Sequence, residues 1–145
     1  MEIIIERIET FSEGITREIN NLLAQLHANP RMLSDEDVRN LIENQANRFF
    51  VARKSAGDKI VGMLTLAILD APSAKKGLLE DIVVDSKYRR KGIGEKLIST
   101  AINQARKEEV YCIDFTSRQE RIEANNLYQK LGFQKRNTNV YRIKL

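Results

Sequence analysis

The stretch that decides the fold is DIVVDSKYRRKGIGEKLI, residues 81–98. It opens with an apolar run at residues 82–84, which has the character of a buried strand. Four cationic side chains follow within residues 87–91, and the segment becomes amphipathic after two glycines that flank one isoleucine. This order predicts a strand, then a basic glycine-containing loop, then a helix.

A loop of this kind has the properties of an anion site. The first N–H groups of a helix have no partner within the helix, and the helix dipole is positive at that end. Gly92 and Gly94 lack Cβ atoms, so an oxygen can approach the backbone closely. Arg89 and Arg90 add donors that suit phosphate. These residues therefore predict a site for a phosphate or a diphosphate.

Three other interpretations of the loop stay open. A solvated basic turn would need no ligand. A dinucleotide site is disfavoured because Leu97 stands where its fingerprint has a third glycine, and a P-loop is disfavoured because no GxxxxGK[ST] motif occurs. A nucleic-acid patch is disfavoured because no interleaved aromatic residues accompany the cations.

Length and composition indicate an ordinary globular protein with one domain over residues 1–145. No apolar run approaches the roughly 20 residues that span a bilayer, and the acidic residues of MEIIIERIE do not fit a secretory signal, so we expect a cytoplasmic protein with no membrane partner. One cysteine and one histidine exclude an internal disulfide and disfavour a metal site or a Ser/His/Asp device. The net charge of +4 is local to the basic loop, which argues against a nucleic-acid partner.

Hydrophobic periodicity predicts strands and helices over the rest of the chain. Strands are expected at residues 2–8, 49–53, 59–69, 78–84 and 110–115, with a closing pair at 133–135 and 140–144. Helices are expected where apolar residues recur at helical spacing, over residues 15–26, 38–42, 93–105 and 124–131, with the second helix starting at residues 34–37 and the last one at residues 117–120. Ser34 with Asp37, and Ser117 with Glu120, have the spacing of capping boxes, and Gly132 follows the last helix as a C′ glycine would. The pattern predicts an α/β fold, a central twisted mixed sheet with helices on both faces.

Three segments carry a resemblance to a known family. RRKGIG, residues 89–94, matches the pattern [RQ]xxGxG and lies between a predicted strand and a predicted helix. LLEDIVVD, residues 78–85, precedes it, and ANNLYQKLGF, residues 124–133, resembles an LYxKxGF segment at the expected distance. The chain is therefore similar to the acetyl-CoA-dependent N-acetyltransferases of the GNAT superfamily, whose single-domain fold is then expected here.

The resemblance implies acetyl-CoA as cosubstrate and no metal. It places the CoA pyrophosphate on the loop residues Arg89, Arg90, Lys91, Gly92, Ile93 and Gly94. It also implies that the pantetheine arm pairs with the preceding strand like an added strand, through main-chain contacts of Ile82, Val83 and Val84.

The same resemblance suggests which residues act on the thioester. The tyrosine of the LYxKxGF segment, Tyr128, would donate a proton to the departing thiolate. LEDIVV resembles a strand of glucosamine-6-phosphate N-acetyltransferases in which a carboxylate acts through water, which favours Glu80 as base. Asp81 and water stay open as alternatives, although adjacent strand residues should point to opposite faces. The N–H of Val83 would meet the oxyanion.

One position departs from the family pattern. Many members have asparagine seven residues before the tyrosine, where this chain has Arg121. Asn125 could supply the hydrogen bond to the pantetheine arm, or Arg121 could reach a phosphate of CoA.

The sequence thus predicts direct acetyl transfer to a primary amine, without a covalent enzyme intermediate. The acceptor, a small molecule or a peptide, is not identified, and a homodimer is compatible with the sequence. A protein-modifying enzyme and a non-catalytic CoA-binding sensor or regulatory module are the alternatives.

Overall fold

The computed structural model describes residues 2–145, and the chain divides into two compact units, Met1–Phe115 and Thr116–Leu145. The first unit contains the sheet and the first three α-helices, and the second contains the last helix. No helix in this described part of the chain has the length and apolar character needed to cross a membrane. A single N-acetyltransferase domain over residues 1–145 stays a prediction.

Five strands form one sheet in the order β1-β2-β3-β4-β5. The first four pair antiparallel with their neighbours, and β5 pairs parallel with β4, so the predicted mixed sheet is confirmed. The strands are β1 (Ile4–Ile8), β2 (Asn47–Arg53), β3 (Ile60–Asp70), β4 (Lys75–Val84) and β5 (Cys112–Asp114). The helices are α1 (Ile15–Leu26), α2 (Asp35–Glu43), α3 (Ile93–Lys107) and α4 (Ile122–Lys130), with a short 3₁₀ turn at Ser86–Tyr88.

The alternation of side chains along β3 shows how helices cover both faces of the sheet in the first unit. Met63 belongs to the hydrophobic cluster that includes the buried side chains of α1 and α2. A Cβ added to the neighbouring Gly62 would lie on the opposite face, 3.2 Å from Leu97 of α3. Successive residues of a strand face opposite sides, so α1 and α2 pack on one face and α3 on the other, as predicted.

The two predicted capping boxes have different outcomes. At α2, Ser34 Oγ accepts the N–H of Asp37 at 3.1 Å and Asp37 Oδ2 accepts the N–H of Ser34 at 2.9 Å, which confirms the first box. The hydrogen bond from the backbone N–H of Ser34 to the Asp37 carboxylate also lowers the pKa of Asp37. The second box was wrong, because α4 begins at Ile122 with Arg121 as N-cap and no side-chain cap bond, so Ser117 lies too early.

The predicted closing strand pair was also wrong. Among the described residues 133–145 none belongs to a strand. Tyr141 and Ile143 alternate with charged residues as in a strand, but they are exposed to 86% and 82%, and the neighbouring Val140 is exposed to 73%. An alternating pattern becomes a strand only where a neighbouring strand takes up its backbone hydrogen bonds and covers its apolar face, so the pattern alone was insufficient.

The C-terminal end of α3 is fixed to the sheet by a partly buried ion pair. Glu108 accepts hydrogen bonds from Arg48 Nε at 2.9 Å and from Arg48 Nη2 at 2.6 Å, and a third from Gln104 at 2.8 Å. Lys75 Nζ donates to the Glu108 carbonyl at 2.9 Å. The bonds from Arg48 hold the pKa of Glu108 at about 2. The pair therefore links α3 to β2 and, through Lys75, to β4.

We expect Glu108→Gln to lower the free energy of unfolding at pH 7 by about 1 to 2 kcal/mol, less than the full pKa shift implies because solvent partly screens the pair. The pKa of Glu108 falls from 4.5 to about 2 on folding, so the stabilisation is complete above pH 4.5 and disappears as the pH falls towards 2. Urea unfolding at several pH values measures this difference. Glu43→Gln, an exposed change at the end of α2, is the control. Its free energy of unfolding should not differ from that of the unchanged protein in this pH-dependent way.

Candidate functional site

The strand β4 carries one extra residue at a β-bulge. Thr65 of β3 lies opposite Glu80, and Met63 lies opposite Val83, so β4 has one residue more than β3 between the two pairs. An extra residue of this kind bends the strand and increases its local twist. The bulge therefore separates β4 into a first part that ends at Glu80 and a second part that begins near Val83.

The backbone at the bulge is left-handed. Asp81 has a φ of 52°, a conformation that non-glycine residues seldom adopt and that aspartate tolerates better than most. Asp81 Oδ1 lies 3.6 Å from Nε2 of His27. His27 is the exposed C-cap of α1.

Glu80 and Asp81 line the same cavity. The expectation that these adjacent residues face opposite sides of the sheet was therefore wrong, because the left-handed Asp81 interrupts the alternation of a regular strand. The cavity has a volume of about 270 Å³ and lies between α1, α2 and strands β2, β3 and β4. Its other walls are mainly apolar, with Asn47 and Thr65 as further polar members.

The cavity was not predicted from the sequence. The apolar stripes of α1 and α2 indicate only that these helices pack on something, and the same stripe would occur over a fully filled core. Nothing in the sequence marks an incomplete fill at Ala67 or brings His27 to Asp81. The bulge likewise has no glycine to reveal it.

The second part of β4 has a free edge towards β5. The β4–β5 ladder contains Lys76, Gly77 and Leu78 and ends there. Beyond it, Ile82 and Val84 are half-buried, whereas Val83 is buried in the cluster under α1 and α2. In the described part of the chain, residues 82–84 therefore have no partner strand on the side of β5, as the addition of an extended ligand would require.

The loop after β4 is held by backbone hydrogen bonds. The N–H of Asp85 donates to the carbonyl of Val61 at 2.8 Å, and the side chain of Asp85 accepts the N–H of Lys87 at 3.0 Å. The N–H of Ser86 donates to Gln25 Oε1 of α1 at 2.8 Å. These bonds fix the start of the loop against the sheet and α1.

The cations of the loop are mostly exposed. Arg89 donates from Nε to the carbonyl of Val84 at 3.2 Å, which keeps its stem along the end of the strand. Lys91 Nζ lies 5.8 Å from the ring centroid of Tyr88, and Lys54 Nζ lies 5.4 Å from the same ring. Arg90 has a φ of 63°. The loop thus concentrates positive charge where β4 ends.

The start of α3 offers backbone donors next to these cations. Gly92 is the N-cap with a φ of 78°, no side chain caps the helix, and nothing lies within 4 Å of a Cβ built at Gly92. The first hydrogen bond of the helix runs from the N–H of Lys96 to the carbonyl of Gly92 at 3.1 Å. The N–H groups of Ile93 and Gly94 precede that bond, so they are positioned to receive an anion.

The remaining predicted site residues belong to the second unit and are described within it. Tyr128 lies on α4, is 6% exposed and makes an edge-to-face contact with Phe133, with ring centroids 6.5 Å apart. Arg121 is the N-cap of α4, and its carbonyl accepts the N–H of Asn125 at 2.9 Å. Asn125 Nδ2 donates to the carbonyl of Arg118 at 2.9 Å, so this amide nitrogen already serves the start of the helix. The roles of these three residues stay predictions.

Comparison with known proteins gives a family match over most of the chain. A model described as "Acetyltransferase (GNAT) family" matches residues 16–133. Human N-acetyltransferase 8 is 28% identical over 99 residues, which are 67% of this chain and 43% of that protein, so the chain spans less than half the length of this relative.

Solved structures share the fold at low identity. A transcriptional regulator from Bacillus halodurans superposes with a TM-score of 0.83 at 24% identity, over 99% of this chain and 100% of that one. An aminoglycoside acetyltransferase from an uncultured soil metagenomic sample superposes with a TM-score of 0.82 at 21% identity, over 99% of this chain and 95% of that one. These likenesses concern the fold alone.

The left-handed backbone at Asp81 has a measurable consequence. Because glycine adopts a positive φ without steric cost, Asp81→Gly should keep or raise the free energy of unfolding, by up to about 1 kcal/mol, whereas Asp81→Val should lower it by about 1 to 2 kcal/mol. Thermal unfolding of both variants measures the order.

Asp70, at the exposed end of β3 with an ordinary negative φ, is the matched control position. Valine should be preferred over glycine there, because regular strands favour β-branched residues. A preference for valine at both positions would contradict a left-handed bulge at Asp81.

Proposed function

Because the chain belongs to the acetyltransferase (GNAT) family, we propose that it transfers the acetyl group of acetyl-CoA to a primary amine. The observation that carries this proposal is the loop between β4 and α3. There, exposed cations lie beside the uncapped start of a helix whose N-cap, Gly92, has open space above it. A diphosphate fits such a place because backbone N–H groups and arginines both favour it.

In this proposal the loop residues Arg89–Gly94 bind the diphosphate of CoA, and the pantetheine arm lies along the second part of β4. The end of the β4–β5 ladder at Leu78 supports that course. The arm would use main-chain groups of Ile82, Val83 and Val84, and the thioester would then lie near the bulge.

The chemistry needs three groups around the thioester. The neutral amine nitrogen attacks the carbonyl carbon, and the oxygen gains a negative charge that the N–H of Val83 meets. The carbon–sulfur bond then breaks, and the leaving thiolate takes a proton from Tyr128. Glu80, directly or through water, takes the proton that the amine nitrogen loses. The place of Glu80 in the wall of the cavity, next to the bulge, supports its role as base.

The loop assignment is tested by two glycines in the same conformation. Gly92 and Gly57 have φ values of 78° and 83°, and neither has an atom within 4 Å of an added Cβ, so valine at either position strains the backbone equally. We expect Gly92→Val to weaken acetyl-CoA binding at least about tenfold, because the side chain occupies the space of a phosphate oxygen, and Gly57→Val to leave the affinity unchanged.

Isothermal titration with acetyl-CoA measures both affinities. S-acetyl-pantetheine, which lacks the diphosphate, serves as the comparison ligand, and its binding should not distinguish the variants. An equal loss of acetyl-CoA affinity in both variants would attribute the effect to backbone strain and reject the loop as the diphosphate site.

Tyr128→Phe tests the proton donor. The ring and its contact with Phe133 are kept, so the stability and the acetyl-CoA affinity should change little while kcat falls roughly 100-fold. Steady-state kinetics with acetyl-CoA and with an acyl donor whose leaving thiol is more acidic measure the effect, which should shrink with the better leaving group. A Tyr128→Phe enzyme with unchanged kcat would remove Tyr128 from the reaction.

A further inference from the structure

The cavity under α1 and α2 points to the chemical class of the acceptor. We infer that the acceptor is a primary amine on a compact apolar body, an arylalkyl or branched alkyl amine, and that the cavity holds this body. The inference rests on the proposed acetyl transfer and adds to it a statement about specificity.

The walls of the cavity favour an apolar occupant. The cavity is lined by apolar side chains from both helices and two strands: Leu23 of α1, Val38 and Ile42 of α2, Phe49 of β2 and Ala67 of β3. A hydroxyl or phosphate group placed against these side chains would lose its hydrogen bonds to water without gaining new ones, whereas a hydrocarbon group gains by leaving water. The cavity therefore selects against sugars and sugar phosphates.

The charged part of the wall favours a cation at one end. The bulge brings Glu80 and Asp81 into the same cavity, and no lysine or arginine occurs among the described residues that line it. An ammonium group is attracted there and an anionic group is repelled. An amine held by its apolar body in the cavity would thus present its nitrogen next to Glu80, where the proposed base must act.

The volume sets the size of the apolar body. A cavity of about 150 Å³ lined by aliphatic and aromatic side chains can hold one benzene molecule, and the cavity of this protein has about 270 Å³. A six-membered ring with a short alkyl chain fits this space, whereas an oligosaccharide exceeds it. 2-Phenylethylamine is therefore a suitable probe.

The inference predicts an order of acceptors. We expect kcat/KM, measured from initial rates of CoA release, to be at least about tenfold higher for 2-phenylethylamine than for ethanolamine. The reason is that each well-buried methylene raises kcat/KM by a factor of about 10 or more. Glucosamine 6-phosphate should react more slowly than 2-phenylethylamine.

A matched pair of variants assigns the preference to the cavity. Ala67→Leu places an isobutyl group inside the cavity, and Ala56→Leu places the same group in the exposed turn before β3. Ala67→Leu should lower kcat/KM for 2-phenylethylamine at least about tenfold, and it should lower the value for ethanolamine by a smaller factor. Ala56→Leu should change neither value.

Binding without turnover separates this inference from the proposed function. NMR titration with 2-phenylethylamine in the absence of acetyl-CoA should shift signals of the cavity residues, and Ala67→Leu should abolish the shifts. If 2-phenylethylamine binds in this way but no amine causes release of CoA from acetyl-CoA, the result would count against acetyl transfer and would still support the ligand class of the cavity. Turnover that prefers ethanolamine or glucosamine 6-phosphate, or that ignores Ala67→Leu, would overturn the inference and keep acetyl transfer. The absence of both binding and turnover of 2-phenylethylamine would also overturn it.

Discussion

The arrangement of the candidate site depends on one constraint, the extra residue in β4. Between Glu80 and Val83 this strand must accommodate one residue more than β3, and it does so with a left-handed Asp81. The strand before the bulge pairs with β5, whereas the strand after it has left that ladder. The shared cavity of Glu80 and Asp81 follows from this local change in backbone geometry, whereas the open edge of residues 82–84 begins earlier, where the ladder with the three-residue β5 ends at Leu78.

The bulge is coupled to the anion loop through close packing at Gly62. A Cβ at this position would lie 3.2 Å from Leu97 of α3 and 3.3 Å from the carbonyl oxygen of Val83. Both distances are tighter than ordinary contacts, so the absence of a side chain lets α3 approach the sheet where β4 resumes its pairing. Since α3 begins at Ile93, this contact helps to fix the start of the helix at the end of the strand.

The sequence predicted the parts of the fold that depend on local chemistry. The apolar spacing of α3, the capping box of Ser34 and Asp37, and the glycine-spaced loop each have a signal within a few residues, and each occurs as predicted. The Ser117 box failed although its spacing was right, because the same short pattern is compatible with several helix starts. The segment 133–145 failed because a strand depends on a partner that no local pattern specifies.

The candidate site was predicted at the loop and missed at the cavity for the same physical reason. Backbone donors and cations at a helix start are properties of consecutive residues, so the sequence reveals them. A cavity is a property of volumes contributed by distant segments, from Leu23 to Ala67, and a difference of one methyl group in any of them changes it. The sequence also gives no signal for the position of the bulge, because Asp81 adopts the left-handed backbone without being a glycine.

The bulge and the loop lie at either end of residues 82–84 and carry opposite charge, and their separation keeps their electrostatic effects distinct. Glu80 lies opposite Thr65 and Val84 lies opposite Gly62, so the two are separated by three residues of β3, which is about 10 Å at roughly 3.3 Å per residue. The cations of the loop lie beyond Val84. Exposed charges farther apart than the screening length of about 8 Å at physiological salt interact weakly. The carboxylates can therefore attract a cationic acceptor at one end while the loop attracts an anionic cosubstrate at the other, and neither field cancels the other along the strand that joins them.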